Sequence, residues 1–315
     1  MAESQAPAAP GAPEKAGPNH GLRIFVIWIV LALVADLLIW FLWYPHLPPG
    51  RMTESAEHQQ LDITVLGLAA APVMLFVWTY FGYTLVNWRH RDGDDEDGPP
   101  LFGHTGIQAT WIAGTAVIVL AAFVFGTVEL IVPAGAGAGE GPNPVWKPSG
   151  SNYLQVQVIG QQWQFTYRYP QFGGMETTRL VLPDNRAVAF HVTSLDVIHS
   201  FWAYQLGVKA DANPGSNNVA YTKPGHTGNV QVRCAELCGL WHADMTTAGH
   251  VVSVSAFSAW AASTKIQLAA LTKNLPPYSL TYDPNSVSQL GKAFHQAGLS
   301  GAGGGYYGSQ YPVQP

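Results

Sequence analysis

The sequence predicts three membrane-spanning helices followed by an all-β Greek-key sandwich. Three apolar runs, at residues 22–44, 61–88 and 107–132, are each long enough to cross a bilayer. Only 11% of the 315 residues are charged, against about 25% in ordinary soluble domains. The 11 tryptophans fit the aromatic belts of a membrane interface. Beyond residue 150 the apolar period changes from helical to alternating, with turn residues between short runs.

Residues 1–21 are rich in Ala, Pro and Gly, carry almost no large apolar side chain, and are expected to be disordered. The run 22–44 exceeds the apolar core of a signal peptide, about 7–15 residues. No small-x-small cleavage motif or lipobox cysteine follows it. It reads as an additional, uncleaved transmembrane helix, with Asp36 turned toward protein rather than lipid. Residues 45–60, with Pro45, Pro48, Pro49 and Gly50, read as a short polar link. The runs within 61–132 form a transmembrane hairpin. Trp88-Arg-His-Arg91 gives its first helix a cytoplasmic end, and the acidic stretch 92–97 reads as a solvated loop. Three spans then leave residues 1–21 inside and everything after Pro133 outside.

Residues 133–150 are a Gly, Pro and Ala linker, and 151–257 are the sandwich. Leu154, Val156 and Val158 alternate with Gln155 and Gln157, the pattern of a half-buried strand. Residues 180–182 and 188–192, flanking the turn Pro183-Asp-Asn-Arg186, read as two paired strands. Residues 258–315 hold the rest of a short helix, expected over 256–271, and an irregular Pro-, Gly- and Tyr-rich tail.

The chemistry is concentrated in Cys234-Ala-Glu-Leu-Cys-Gly-Leu-Trp-His-Ala-Asp-Met245, which holds both cysteines of the chain. Thiolate and thioether are soft ligands and imidazole is borderline, a mixture that favours copper over magnesium, calcium or manganese. Two thiolates can bridge two metal ions. His242 and Met245 supply a strong and a weak terminal ligand, and His199 in Asp196-Val-Ile-His is the best second histidine. A Cys234–Cys238 disulfide leaves the His and Met positions unexplained. A Cys2His2 zinc site has no use for Met245. A mononuclear blue-copper site leaves one cysteine idle. The full set favours copper, and two ions over one.

This motif resembles the dinuclear CuA centre of cytochrome c oxidase subunit 2, and the resemblance extends from about Gly103 to about Phe257. It implies a cupredoxin-like domain in which Cys234 and Cys238 bridge both coppers. One copper takes His199 and Met245; the other takes His242 and the Glu236 carbonyl. The Glu236 carboxylate, with Asp211, would help hold a magnesium or manganese ion at the interface with subunit 1. Gly160-Gln-Gln-Trp-Gln-Phe-Thr-Tyr resembles the family's aromatic segment, whose tryptophan passes electrons in from the donor; by position that is Trp163. Gln161, Gln164 and Phe165 depart from the family pattern, as does Gln108, which stands where many members carry a proton-path glutamate.

The implied function is an electron-accepting subunit of a terminal oxidase in a bacterial plasma membrane, working with subunits 1 and 3. Its donor is a soluble or membrane-bound cytochrome c. The alternatives are a copper-free quinol oxidase subunit 2 acting as scaffold, and a copper carrier. No Cys-x-x-Cys-His occurs, so no c-type haem is expected in this chain. A net charge of −5 argues against nucleic-acid binding. Glu176, Asp184 and Asp196 are the candidates for a donor-docking patch, although residues 133–255 carry equal numbers of acidic and basic side chains. His191, His226 and His250 read as structural, His104 as lining the cytoplasmic interface, and Glu129 as no substitute for the missing glutamate.

Overall fold

A computed structural model of the protein describes residues 18–47, 50–89, 103–132, 146–150 and 152–275. The expectations for residues 1–17, the acidic loop 92–97, the linker from 133 to 145 and the tail beyond 275 lie outside the described residues.

The first helix, α1 (His20–Leu38), is capped by Asn19, whose side chain accepts from the Leu22 N–H. It continues through a wide π-turn at Ile39–Trp43 and a 3-10 turn at Tyr44–His46. Next come α2 (Glu54–Asn87) and α3 (Thr105–Ile131). All three are apolar and long enough to cross a membrane. His104 caps α3, its Nδ1 accepting from the Ile107 N–H at 3.2 Å.

The structure corrects the reading of residues 45–60 as a link, because α2 starts at Glu54 rather than near Leu61. Thr53 caps it, its Oγ1 accepting from the Ala56 N–H at 2.9 Å. Glu54 and Glu57 complement the positive end of the helix dipole. Polar composition hid these turns, whose buried side is made by Ser55, Ala56 and Gln60 rather than by large apolar residues.

The chain divides into two compact units. One contains α1 and α2 from Gly67 onward. There the Trp28 indole donates to the Pro72 carbonyl at 2.8 Å, and the His20 ring bonds the Tyr83 hydroxyl at 2.8 Å. The other contains the start of α2, α3 and the sandwich.

The sandwich has two five-stranded sheets. Its strands are β1 (Leu154–Gln161), β2 (Gln164–Tyr169), β3 (Met175–Thr177), β4 (Leu180–Pro183), β5 (Val188–Ser194), β6 (His199–Ala203), β7 (Val208–Ala212), β8 (Asn218–Thr222), β9 (Gly228–Cys234) and β10 (Thr246–Val252). The orders are β3-β2-β1-β5-β8 and β4-β10-β9-β6-β7. Pairing is antiparallel except for β1 with β5 and β10 with β4. Leu154, Val156 and Val158 face inward and Gln155 and Gln157 outward, as the alternation predicts.

Strands β4 and β5 do not pair with each other, which corrects the hairpin expected there. β4 joins β10 in one sheet and β5 joins β1 and β8 in the other. The turn between them carries the chain across the core. The Asp184 N–H donates to the Val252 carbonyl at 2.8 Å and the Asn185 N–H to the Pro224 carbonyl at 2.7 Å. Asn185 sits in the left-handed region at φ 54°, which asparagine tolerates better than most residues. A short turn between two apolar runs looks the same in sequence whether the chain reverses within a sheet or crosses between sheets.

The interior is closed by Phe165, Tyr167, Tyr169, Phe190 and Phe201, all fully buried. Both tyrosine hydroxyls are satisfied, Tyr167 by the Thr247 hydroxyl at 2.8 Å and Tyr169 by the Val181 carbonyl at 3.0 Å. Helix α4 (Val254–Gln267), capped by Ser253, lays Phe257 and Ala261 into this core, and α5 (Ala269–Thr272) follows. The first turn of α4 therefore belongs to the sandwich and precedes the expected boundary at residue 258.

Candidate metal centre

Strand β6 begins with His199, β9 ends with Cys234, and the loop from β9 to β10 carries Cys238, His242 and Met245. The two strands are hydrogen-bonded neighbours, with Phe201 opposite Cys234. Strand pairing thus brings residues far apart in sequence to one end of the sandwich. The loop is tied down by bonds from the Cys234 N–H to the Met245 carbonyl at 3.0 Å and from the Ala235 N–H to the Ser200 carbonyl at 2.9 Å.

The two sulfurs lie 3.7 Å apart and are free thiols, so they form no disulfide. Around them, His199 Nδ1 is 3.7 Å and the Glu236 carbonyl 3.2 Å from Cys234 Sγ. His242 Nδ1 is 3.5 Å and Met245 Sδ 3.8 Å from Cys238 Sγ. Tetrahedral bonds of ~2.3 Å to sulfur give donor–donor edges of ~3.7 Å. The donor atoms therefore have the spacing of a shared coordination shell. Soft sulfur beside imidazole suits copper. Among the described residues, His199, Cys234 and Cys238 are the one group of three or more His, Cys or acidic residues whose ligand atoms all lie within 4.8 Å of one another.

Asp196 fixes His199. Its Oδ1 accepts from His199 Nε2 at 2.8 Å and from the Val197 N–H at 2.7 Å, while Oδ2 accepts from the Gln162 N–H at 2.7 Å. Burial raises the carboxyl pKa, but these bonds outweigh it and hold the group below the usual carboxylate range. Burial lowers the His199 pKa, and Asp196 with Cys234 more than reverses that. With Nε2 engaged, Nδ1 is left to face Cys234. Burial also opposes ionisation of both thiols. At Cys234 the hydrogen bond with His199 and those to backbone groups prevail and lower its pKa to about 6. Cys238, buried beside that negative neighbour, is pushed up to about 12. The pair gives up its protons one after the other.

Trp163 packs on the same loop, half-buried. Its indole N–H donates to the Cys238 carbonyl at 3.1 Å, and the Gln162 amide donates to the same oxygen at 2.8 Å. Gly239 makes this approach possible. Its φ is 113°, and a Cβ there would stand 2.9 Å from Gln162 Nε2 and 3.3 Å from the Trp163 ring.

Of the other residues singled out from sequence, Glu236 is exposed and Asp211 half-buried on β7, opposite Ser200 of β6. Neither carboxylate joins the cluster of close side-chain donors. Two of the three candidates for an acidic docking patch are engaged internally: Glu176 pairs with Arg168 at 2.7 Å and Asp196 with His199. His191 bonds Gln155 at 2.6 Å and His250 bonds Asn229 at 3.0 Å. The sequence reading missed Asp196 and Gln162 as positioning residues. The Asp-x-x-His spacing was the available signal for the first.

A family profile described as "Cytochrome C oxidase subunit II, periplasmic domain" matches residues 174–252. Cytochrome c oxidase subunit 2 of Synechocystis sp. is 27% identical over 298 residues, covering 82% of this chain and 89% of the relative. The subunit 2 of Alkalihalophilus pseudofirmus is 30% identical over 221 residues, covering 70% of this chain and 61% of the relative. The crystal structure of the periplasmic domain of subunit II of cytochrome oxidase from Bradyrhizobium japonicum aligns at 33% identity with a TM-score of 0.36, covering 38% of this chain and 97% of that one.

Proposed function

We propose that this chain, which belongs to the cytochrome c oxidase subunit 2 family, accepts electrons from a cytochrome c outside a bacterial plasma membrane. It delivers them toward haem in subunit 1, where oxygen is reduced. The carrying observation is the convergence of two thiols, two imidazoles, a thioether and a backbone carbonyl with contacts of 3.2–3.8 Å around the sulfurs.

These donors fit a dinuclear copper centre, which Cys234, Cys238, His199, His242, Met245 and the Glu236 carbonyl would hold. Such a centre would supply reversible one-electron exchange. The protein's part is to keep the donors still. Asp196 orients His199, the β6–β9 pairing fixes its distance from Cys234, and the Met245 side chain is buried. A ligand cage that moves little between redox states keeps the reorganisation cost low. Trp163, bonded to the Cys238 carbonyl, is the proposed route for electrons from the donor. The Glu236 carboxylate and Asp211 are assigned to a magnesium or manganese ion shared with subunit 1. Subunit 3 and membrane lipid complete the partners, and a membrane-bound cytochrome needs less electrostatic steering than a soluble one.

Metal analysis and electron spin resonance of the purified full chain test this reading. Two coppers per chain and a mixed-valence spectrum are expected. One copper, or none, overturns it, and the latter result is that of a copper-free quinol oxidase scaffold. Ready loss of copper to a chelator is the behaviour of a carrier instead.

A further inference from the structure

Below the point where α2 meets the sandwich lies a second cluster of titratable groups that the copper chemistry does not use. His58 on α2 and Glu129 on α3 are in contact, with Nδ1 2.5 Å from Oε2. An imidazole nitrogen and a carboxylate oxygen approach that closely only with a proton between them. One turn further along α2 stands Asp62, whose Oδ1 is buried with no hydrogen-bond partner. Its neighbours next along α2 are Leu61 and Ile63, and the residues around Glu129 on α3 are Val128 and Leu130.

The His58 side chain is 30% exposed and that of Glu129 13%, while Asp62 is half-buried with its Oδ1 covered. The open end lies next to the sandwich, because Gln59 bonds the Gly207 carbonyl at 2.9 Å and Thr53 the Leu206 carbonyl at 3.0 Å. Other charges nearby are few. Glu54 and Glu57 are exposed on the first turns of α2. Arg51 is engaged with Gln60 and with the face of Tyr44. Glu129 is the one charged residue on α3. Among the described residues, no lysine or arginine forms an ion pair with either carboxylate.

We propose that His58, Glu129 and Asp62 form a binding site for an exchangeable proton at the sandwich end of the transmembrane hairpin. His58 exchanges it with water, and Glu129 and Asp62 carry it inward. Two carboxylates and one imidazole in an apolar setting hold less charge when they share protons, and the one-turn spacing of His58 and Asp62 offers successive acceptors along one helix face. The site is independent of the copper ligands.

Infrared spectroscopy of the full chain in lipid nanodiscs, titrated with acid and base, tests this. The unsubstituted chain is expected to show the stretch of a protonated carboxyl that shifts in heavy water and titrates away from the exposed carboxylates. Glu129→Gln or Asp62→Asn removes it. His58→Gln moves its midpoint by about one pH unit or more. Copper content, read on the same samples, is expected to stay at the unsubstituted level. A chain whose carboxyls all titrate as exposed groups, or a band that ignores all three substitutions, overturns the proposal. A purely structural latch alters melting temperature and leaves the band where it was. Loss of copper in the unsubstituted chain bears on the oxidase reading and not on this one.

Discussion

His199 is held from behind by Asp196. The 2.8 Å bond to its Nε2 leaves Nδ1 aimed at the Cys234 sulfur, 3.7 Å away. The carboxylate sets both the tautomer and the ring plane of a copper-facing imidazole. Asp196→Asn is expected to weaken copper binding by about 10–100-fold, measured by competition with a chelator. An unchanged affinity removes Asp196 from the centre.

Met245 is buried, with its sulfur 3.8 Å from Cys238 Sγ. Leucine has nearly the same volume, so Met245→Leu is expected to cost less than about 1.5 kcal/mol of stability. It should shift the redox potential while copper stays bound, because a thioether is a weak donor. Potentiometry with metal analysis checks this. Complete copper loss makes the thioether a principal ligand.

Trp163 touches the centre through the Cys238 carbonyl. In Trp163→Phe the indole donor is gone while a ring remains. The lost bond is expected to cost about 0.5–1.5 kcal/mol, and copper content stays full. Electron transfer from cytochrome c to the full oxidase complex is expected to slow, read by stopped-flow reduction of the centre. A rate equal to that of the unsubstituted complex excludes this tryptophan as the route.

Gly207 joins the sandwich to the start of α2. Its φ is 65°, and an added Cβ would lie 3.0 Å from the Ala56 N and 3.1 Å from its Cα. Both atoms are helix backbone and cannot step aside as a side chain would. Gly207→Ala is expected to destabilise by about 1–3 kcal/mol, seen as a lower thermal midpoint of the full chain in detergent. Electron spin resonance of the copper centre should be unaffected.

His191 gives the sandwich a pH dependence. Burial lowers its pKa, and the Asn217 contact opposes this only in part. The unfolded chain, near 6.5, therefore takes up the proton first. The stabilisation is fully present above the unfolded value and is lost as pH falls through the lower, folded one. His191→Gln should flatten the fall of the unfolding midpoint between about pH 7 and about pH 5. Equal slopes in the two proteins assign the dependence to other groups.

The sequence alone determined the ligand types, because soft-metal chemistry needs particular side chains and both cysteines sit in one short loop with His242 and Met245. It also determined the three apolar runs and the alternation of Leu154, Val156 and Val158, since lipid and a half-buried sheet each impose a period that composition cannot hide. Only the tertiary structure decided which sheet β4 and β5 joined, that α2 reached back to Glu54, and that Asp196, Gln162 and Trp163 converged on the metal loop. It also decided that Glu129, of no evident use on its own helix, met His58 on another. These are relations between residues far apart in the chain, set by strand pairing and helix packing, and no local pattern of side chains encodes which distant partner a residue will meet.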